Sequence, residues 1–242
     1  MNQLVDRRVL AGFRCIDAIT SRSVVDPLTV AAPPLTLLRN RSGVFAVMEA
    51  PGLRSFTAQF LPPTNWPAPS AFEVTIKDPS LKYLARRANI SAPQPLASTA
   101  PQPVVLYPTP AAAVSPNWAV IRASVVSNAI PARPLPYALI QVQGAGSQPP
   151  TGLTNSNGEA LLAVPGLGLK LSSSASGAVT EATTAATITA WFDPTTLTRP
   201  ANWIPNPDDI LTNLSSSQWK SASQSIQLGP GQTVFVTLTI SL

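Results

Sequence analysis

Few residues in this chain are equipped for chemistry, and their spacing limits what they can do. The 242 residues contain no histidine, which excludes a Ser-His-Asp or Cys-His arrangement and any histidine-ligated metal. Cys15 is the single cysteine. It cannot form an intrachain disulfide or, alone, a zinc or iron–sulfur site, and with Phe13 and Ile16 close by it reads as a small buried hydrophobe. Asp208-Asp209 with Asn206 is the one local acidic cluster. Those oxygens suit calcium when backbone carbonyls join them, but Asp after a proline-containing turn more commonly caps a helical turn, and that is the expectation here. Glu49, Glu73, Glu159 and Glu181 are dispersed, and sequence alone does not bring any two to glycosidase spacing. Gly144-Ala145-Gly146 lacks the further glycine and following helix of a phosphate loop. The expectation is a protein that is not an enzyme and has no cofactor and no metal.

Recognition chemistry is better represented. Trp66, Trp118 and Trp203 each follow an asparagine near a proline. Such a tryptophan lids one end of a small β core, or anchors an interface by filling a partner's pocket; stacking on a sugar is the third use. Basic residues are uneven: residues 1–90 hold eleven Lys/Arg against six Asp/Glu, and residues 91–242 hold five of each. Arg39, Arg41, Arg86 and Arg87 belong to the basic half. They are scattered and without interleaved aromatics, which argues against nucleic acid and for an acidic protein face met through steering and rim contacts. Trp66, Trp118, Trp203, Arg39, Arg41, Arg86 and Arg87 are therefore the candidate interface residues.

The elements that position these groups must be short. Twenty-seven prolines are incompatible with long helices but fit strand edges and corners. Strands are expected at 9–20, 24–31, 35–38, 44–48, 55–61 and 71–77, then 118–126, 137–144, 159–164, 187–192 and 233–242. In the last, Val234, Val236, Leu238 and Ile240 share one face under period-two alternation. Residues 91–117 carry seven prolines and no charge, the composition of an extended connector, within which 104–107 can pair as an edge strand. Residues 169–182 are Ser/Gly/Ala-rich and expected as a loop, and 193–217 as a long insertion with a helical turn near 208–214. The layout is a first domain at 1–90, a connector at 91–117 and a second domain at 118–242.

The halves echo each other. Residues 39–53, RNRSGVFAVMEAPGL, align with 154–167, TNSNGEALLAVPGL, at the turn glycine (Gly43, Gly158) and at Pro-Gly-Leu, with one residue of slippage. A strand containing an arginine, Arg14 or Arg122, precedes each. Asn157-Gly158 favours a hairpin turn, Glu159 to Val164 a short strand, and Pro165-Gly166 a type II turn. Both glycines are expected at equivalent hairpin turns with positive φ. Two tandem sandwiches of one kind is the economical reading.

Thr154, Gly158, Val164 and Pro165-Gly166, after a strand, a Pro-rich loop and another strand, resemble the carboxypeptidase-regulatory-like, or prealbumin-like, β-sandwich. That implies an all-β chain of two tandem prealbumin-like/Ig-like β-sandwiches. The stretches VLAGFRCIDAITSRSVVDPLTV, RNRSGVFAVMEAPGL and LYPTPAAAVSPNWAVIRASV are also similar to the cap adaptor of bacterial phage-tail-like contractile injection systems. This resemblance implies a non-enzymatic structural protein between the tube and sheath end and the cap. It also implies tube, sheath and cap proteins as partners and a homo-oligomeric ring of sixfold symmetry; it carries over no active-site residues. The start MNQLVDRRVL is not a secretory signal, and no run approaches a membrane helix, so assembly in the cytoplasm is expected. A carbohydrate- or cell-surface-binding module is the alternative and requires solvent-exposed tryptophans; a hydrolase would need paired carboxylates in a cleft.

Overall fold

In the computed structural model the chain is all-β. The structure describes residues 9–57, 67–95, 98, 100–146, 148–167, 170–173 and 179–242. It divides into two compact units, the first Met1–Asp17, Arg22–Pro79 and Ala85–Leu106, the second Ala18–Ser21, Ser80–Leu84 and Tyr107–Leu242.

The first unit contains β1 (Ala11–Asp17), β2 (Thr29–Ala31), β3 (Thr36–Arg39), β4 (Val44–Glu49), a single helical turn α1 (Arg54–Thr57), β5 (Ser70–Lys77), β6 (Arg86–Ala92) and β7 (Gln102–Leu106). They form two sheets, in the orders β3-β4-β1-β7 and β2-β5-β6. Alternation does the folding. Ala11, Phe13 and Cys15 of β1, Phe45 and Val47 of β4, Val74 and Ile76 of β5, and Ala88, Ile90 and Ala92 of β6 are buried. Phe13 and Phe45 are cross-strand partners whose rings stack at 5.0 Å, an arrangement that adds to the burial of their area.

The second unit contains β8 (Ala119–Ser127), β9 (Leu139–Gln143), β10 (Thr151–Leu153), β11 (Glu159–Val164), a hairpin β12 (Lys170–Ser173) and β13 (Val179–Ala182), β14 (Thr184–Phe192), a 3-10 turn over Pro194–Thr198, α2 (Asp208–Leu211), β15 (Lys220–Leu228) and β16 (Thr233–Ile240). Its main sheets run β11-β8-β16 and β10-β9-β14-β15. One core joins them. Ile121, Val125, Leu162, Leu238 and Ile240 from the first sheet meet Ile140, Val142, Ile188, Phe192 and Leu228 from the second. These are facing sheets with their inner faces interdigitated.

The same order is built twice. β4 pairs antiparallel with β1, which pairs parallel with β7; β11 pairs antiparallel with β8, which pairs parallel with β16. In the facing sheets β2-β5-β6 corresponds to β9-β14-β15, all antiparallel. The turns match atom for atom. Asn40 N–H donates to Val44 O at 2.9 Å and Gly43 N–H to Asn40 O at 3.2 Å; Asn155 N–H donates to Glu159 O at 2.8 Å and Gly158 N–H to Asn155 O at 3.1 Å. Gly43 and Gly158 have φ of +78° and +72°, and Gly52 and Gly166, of the two Pro-Gly turns, +77° and +70°.

Several expectations need correction. The Gly158 turn is not a hairpin: β10 pairs with β9 and β11 with β8, so this turn carries the chain from one sheet to the other, whereas Gly43 closes a true β3-β4 hairpin. The buried Thr154 hydroxyl holds the crossing, accepting from Ala138 N–H at 2.8 Å and donating to Leu135 O at 2.9 Å. The two arginines are not equivalent. Arg14 lies opposite Val44, directly after its glycine, while Arg122 lies opposite Leu161, two residues further along.

The strand expected at 55–61 begins as α1, because buried Leu53 and Phe56 are spaced for a helical turn and Thr57 N–H reaches Leu53 O at 3.0 Å; residues 58–61 lie outside the described ones. Within 169–182 the described residues form β12 and β13 rather than loop. Three further strands, β6, β10 and β15, lie outside the strands expected from the sequence. The segment 91–117 is shared: its first part finishes β6 and supplies β7, and Tyr107 onward belongs to the second unit.

Candidate functional site

The second unit has a groove on the outer face of β11-β8-β16, about 470 Å³ in volume and lined by Pro110, Ala111, Arg122, Ser124, Glu159, Phe235 and Thr237 among others. Each side chain is there because of strand register. Arg122 and Ser124 project outward from β8 because Ile121, Ala123 and Val125 project into the core. Ser124 lies opposite Glu159 on one side and Thr237 on the other. Phe235 stands on the polar face of β16 and is 76 % exposed. The segment after Tyr107 forms a wall, tied by Arg122 Nη1, which donates to Pro110 O at 2.7 Å. Asn155 holds the far end by accepting from Asn157 N–H (2.8 Å) and Glu159 N–H (3.0 Å) and donating to Glu159 Oε2 at 3.3 Å. One aromatic face beside a cation, a carboxylate and two hydroxyls offers stacking and hydrogen bonds, which is binding chemistry.

The candidate interface residues scatter. Trp66 lies outside the described residues. Trp118 is half-buried at the entry to β8, its backbone N–H donating to Ser115 O at 3.1 Å. Trp203 is half-buried, meeting the Tyr137 ring edge-on at 5.8 Å beneath the Arg199 guanidinium at 5.5 Å. Trp191 and Trp219 are half-buried as well, and Trp219 Nε1 donates to Asn213 O at 2.8 Å. No described tryptophan is fully exposed.

Arg39 folds back. Its Nη2 donates to Val25 O (2.9 Å) and Asp26 O (2.7 Å), its guanidinium lies over Phe45, and its Nε is buried without a hydrogen-bond partner. Arg41 is exposed at the β3-β4 turn. Arg86 is wholly buried, with Nη1 donating to Val105 O at 2.6 Å and Nε to Arg87 O at 3.0 Å. As a rim contact Arg86 is therefore corrected to a structural tie. Arg87 pairs with Glu73 at 2.8 Å on the surface, a contact of small worth by itself.

The acidic cluster is corrected in detail. Pro207 occupies the cap of α2 without a side-chain bond, and Asp208 and Asp209 fill the first turn, where carboxylates favour the helix dipole. Asp209 Oδ1 accepts from Asn206 Nδ2 at 2.9 Å. The capping foreseen there occurs instead at Asp193, which accepts from Thr195 N–H at 2.9 Å. Among the described residues no group of three or more Cys, Asp or Glu is arranged to hold a metal, and no helix is long and apolar enough to cross a membrane. Burial pushes the Cys15 thiol up to about 12, against the opposing pull of Arg86 and Arg39.

No protein-family model matches the chain, and no curated protein matches it. Among solved structures it is similar to a streptococcal ancillary pilin, with 8% identity and a TM-score of 0.27 over 86% of this chain and 50% of that one. It is also similar to the Bacillus anthracis TIE protein, with 8% identity and a TM-score of 0.28 over 96% of this chain and 34% of that one. The chain thus spans half the length of the first and about a third of the second.

Proposed function

We propose that this chain is a non-enzymatic structural adaptor made of two tandem prealbumin-like, Ig-like β-sandwiches. It works in a contractile injection particle assembled in the cytoplasm, linking the end of the inner tube and sheath to the terminating cap. The observation that carries the reading is the doubled module, the same strand order raised on matching Asn-x-x-Gly turns. Charge is segregated between its halves, eleven basic against six acidic residues in 1–90 and five of each in 91–242, which suits bridging two different neighbours. The sequence resemblance supplies the particle and, through its symmetry, a sixfold ring of copies. The test is co-purification of the tagged chain with tube, sheath and cap proteins, and loss of capped particles in electron micrographs when the gene is deleted. A chain that brings down none of the three ends the proposal.

A second reading, a carbohydrate- or cell-surface-binding module, rests on exposed Phe235 beside Ser124, Thr237, Arg122 and Glu159. Glycan-array binding that Phe235→Ala abolishes would favour it over the adaptor.

A further inference from the structure

The two units differ at one equivalent place, the seam between their sheets. In the first unit the seam strands are β6 and β7, and it is stitched. Gln102 Oε1 accepts from Ser91 N–H at 3.0 Å, Gln102 Nε2 donates to Ser91 O at 2.8 Å, and Arg86 Nη1 donates to Val105 O at 2.6 Å. β7 also carries Pro103, a residue that discourages further pairing. In the second unit the seam strands are β15 and β16, and no side-chain hydrogen bond joins them among the described residues.

Among the described residues β16 is therefore an open edge, and its sequence does nothing to protect it. TVFVTLTI has no charge, no proline and no bulge against β8 over eight residues. Other edges are shorter or carry a charge or a register shift: β2 and β10 have three residues each, β3 has four and a register shift, β15 begins on Lys220, and β11, the opposite edge of the same sheet, has six residues and begins on Glu159. The direction of the free groups follows from the ladder. Val120 N–H donates to Gln232 O at 2.8 Å and Asn128 N–H to Ile240 O at 3.0 Å. Alternation along a parallel pair then aims the main-chain groups of Val234, Val236, Leu238 and Ile240 at β8. Those of Phe235, Thr237 and Thr239 point to the open side.

We propose that β16 pairs antiparallel with β16 of a second copy of this chain, about a twofold axis at Thr237. The strand is self-complementary in that register. Val236 meets Leu238 and Val234 meets Ile240 on the core-side face, while Phe235 meets Thr239 on the outer face, giving exposed Phe235 a cross-strand neighbour. No like charges face each other, and the half of the chain that contains the edge balances five basic against five acidic residues. The contact goes beyond the adaptor reading and is separable from it: a sixfold ring closes head-to-tail, whereas this pairing is isologous. A chain that dimerises without binding tube, sheath or cap sinks the adaptor reading alone.

Sedimentation equilibrium of the full chain tests it, with Thr237→Lys and Thr237→Glu alone and mixed. The wild type forms dimers as concentration rises. Each charged variant places like charges at the axis and dimerises about fivefold more weakly, and the equimolar mixture recovers the wild-type constant. In parallel, oxidation cross-links Thr237→Cys between copies, since residues facing at the axis lie within disulfide reach; Phe235→Cys, facing Thr239, does not cross-link. A wild type that stays monomeric overturns the pairing and leaves the edge to another protein's strand. Undiminished dimers of Thr237→Lys, a mixture that does not recover, or equal cross-linking of the two cysteine variants also overturn it.

Discussion

Gln102 treats Ser91 as a neighbouring strand would, its Oε1 accepting from Ser91 N–H at 3.0 Å and its Nε2 donating to Ser91 O at 2.8 Å. One amide side chain thus supplies β6 with the ladder bonds its edge would otherwise lack. Gln102→Ala leaves both backbone groups unpaired and is expected to destabilise the chain by about 1–3 kcal/mol, read as a lower urea midpoint with an unchanged slope.

Arg86 does related work from inside. Removing its guanidinium strands the Val105 carbonyl, and Arg86→Ala is expected to cost about 3 kcal/mol. Arg86→Met, which keeps the apolar stem, should recover part of that in the same denaturation experiment. A rim role would instead leave stability unchanged and alter only partner binding.

The four repeat glycines make a graded series. A Cβ at Gly158 would stand 2.6 Å from Val125 O and one at Gly43 2.9 Å from Val24 O, while Gly52 and Gly166 have nothing within 4 Å. All four have positive φ. Alanine at Gly52 or Gly166 is expected to cost about 1 kcal/mol, from backbone strain alone; at Gly43 and Gly158 the clash adds to this, Gly158 most. Thermal midpoints of the four variants rank them.

Cys15 provides a pH signature. Its thiol is held up at about 12 in the fold, against an ordinary 9.0, so the unfolded chain releases this proton first. Its contribution to stability is intact below about pH 9 and declines as pH rises from there through about 12. Cys15→Ala removes that decline, which urea titrations at pH 8 and pH 10 resolve. Native protein at pH 8 should resist iodoacetamide until denatured.

Arg122→Ala releases Pro110 from the outer face of β8. Faster backbone exchange confined to residues 108–114, with the core protected, is the expected hydrogen-exchange result.

Alternation and turn chemistry made much of this architecture readable. β5, β11 and β16 alternate so clearly that their inward faces follow from period two, and the shared Pro-Gly and turn glycines exposed the duplication. β6 was hidden because Arg86 and Arg87 open it and read as surface charge; the signal was Ala88, Ile90 and Ala92 behind them. β15 was hidden because only Ile226 and Leu228 of its nine residues are buried apolar groups, so Ser and Gln gave it no stripe. The groove is not among the expectations from sequence; its one signal there is Phe235, an aromatic on an otherwise threonine face. Sheet switching at Gly158 was not, because matching turns join strands whose partners are chosen at long range.

The parallel pairing of β8 with β16 also sets an order of events during synthesis. The first unit has every strand it needs once Leu106 has left the ribosome. The second cannot finish the sheet around β8 until residues 233–240 emerge, more than a hundred residues after β8 itself. Until then β8 and β11 wait as an incomplete two-stranded sheet with one flank of β8 unpaired, the kind of species that collects chaperones or mispairs between nascent chains. A ribosome stalled before residue 233 should therefore present a protease-resistant first unit followed by a sensitive second one.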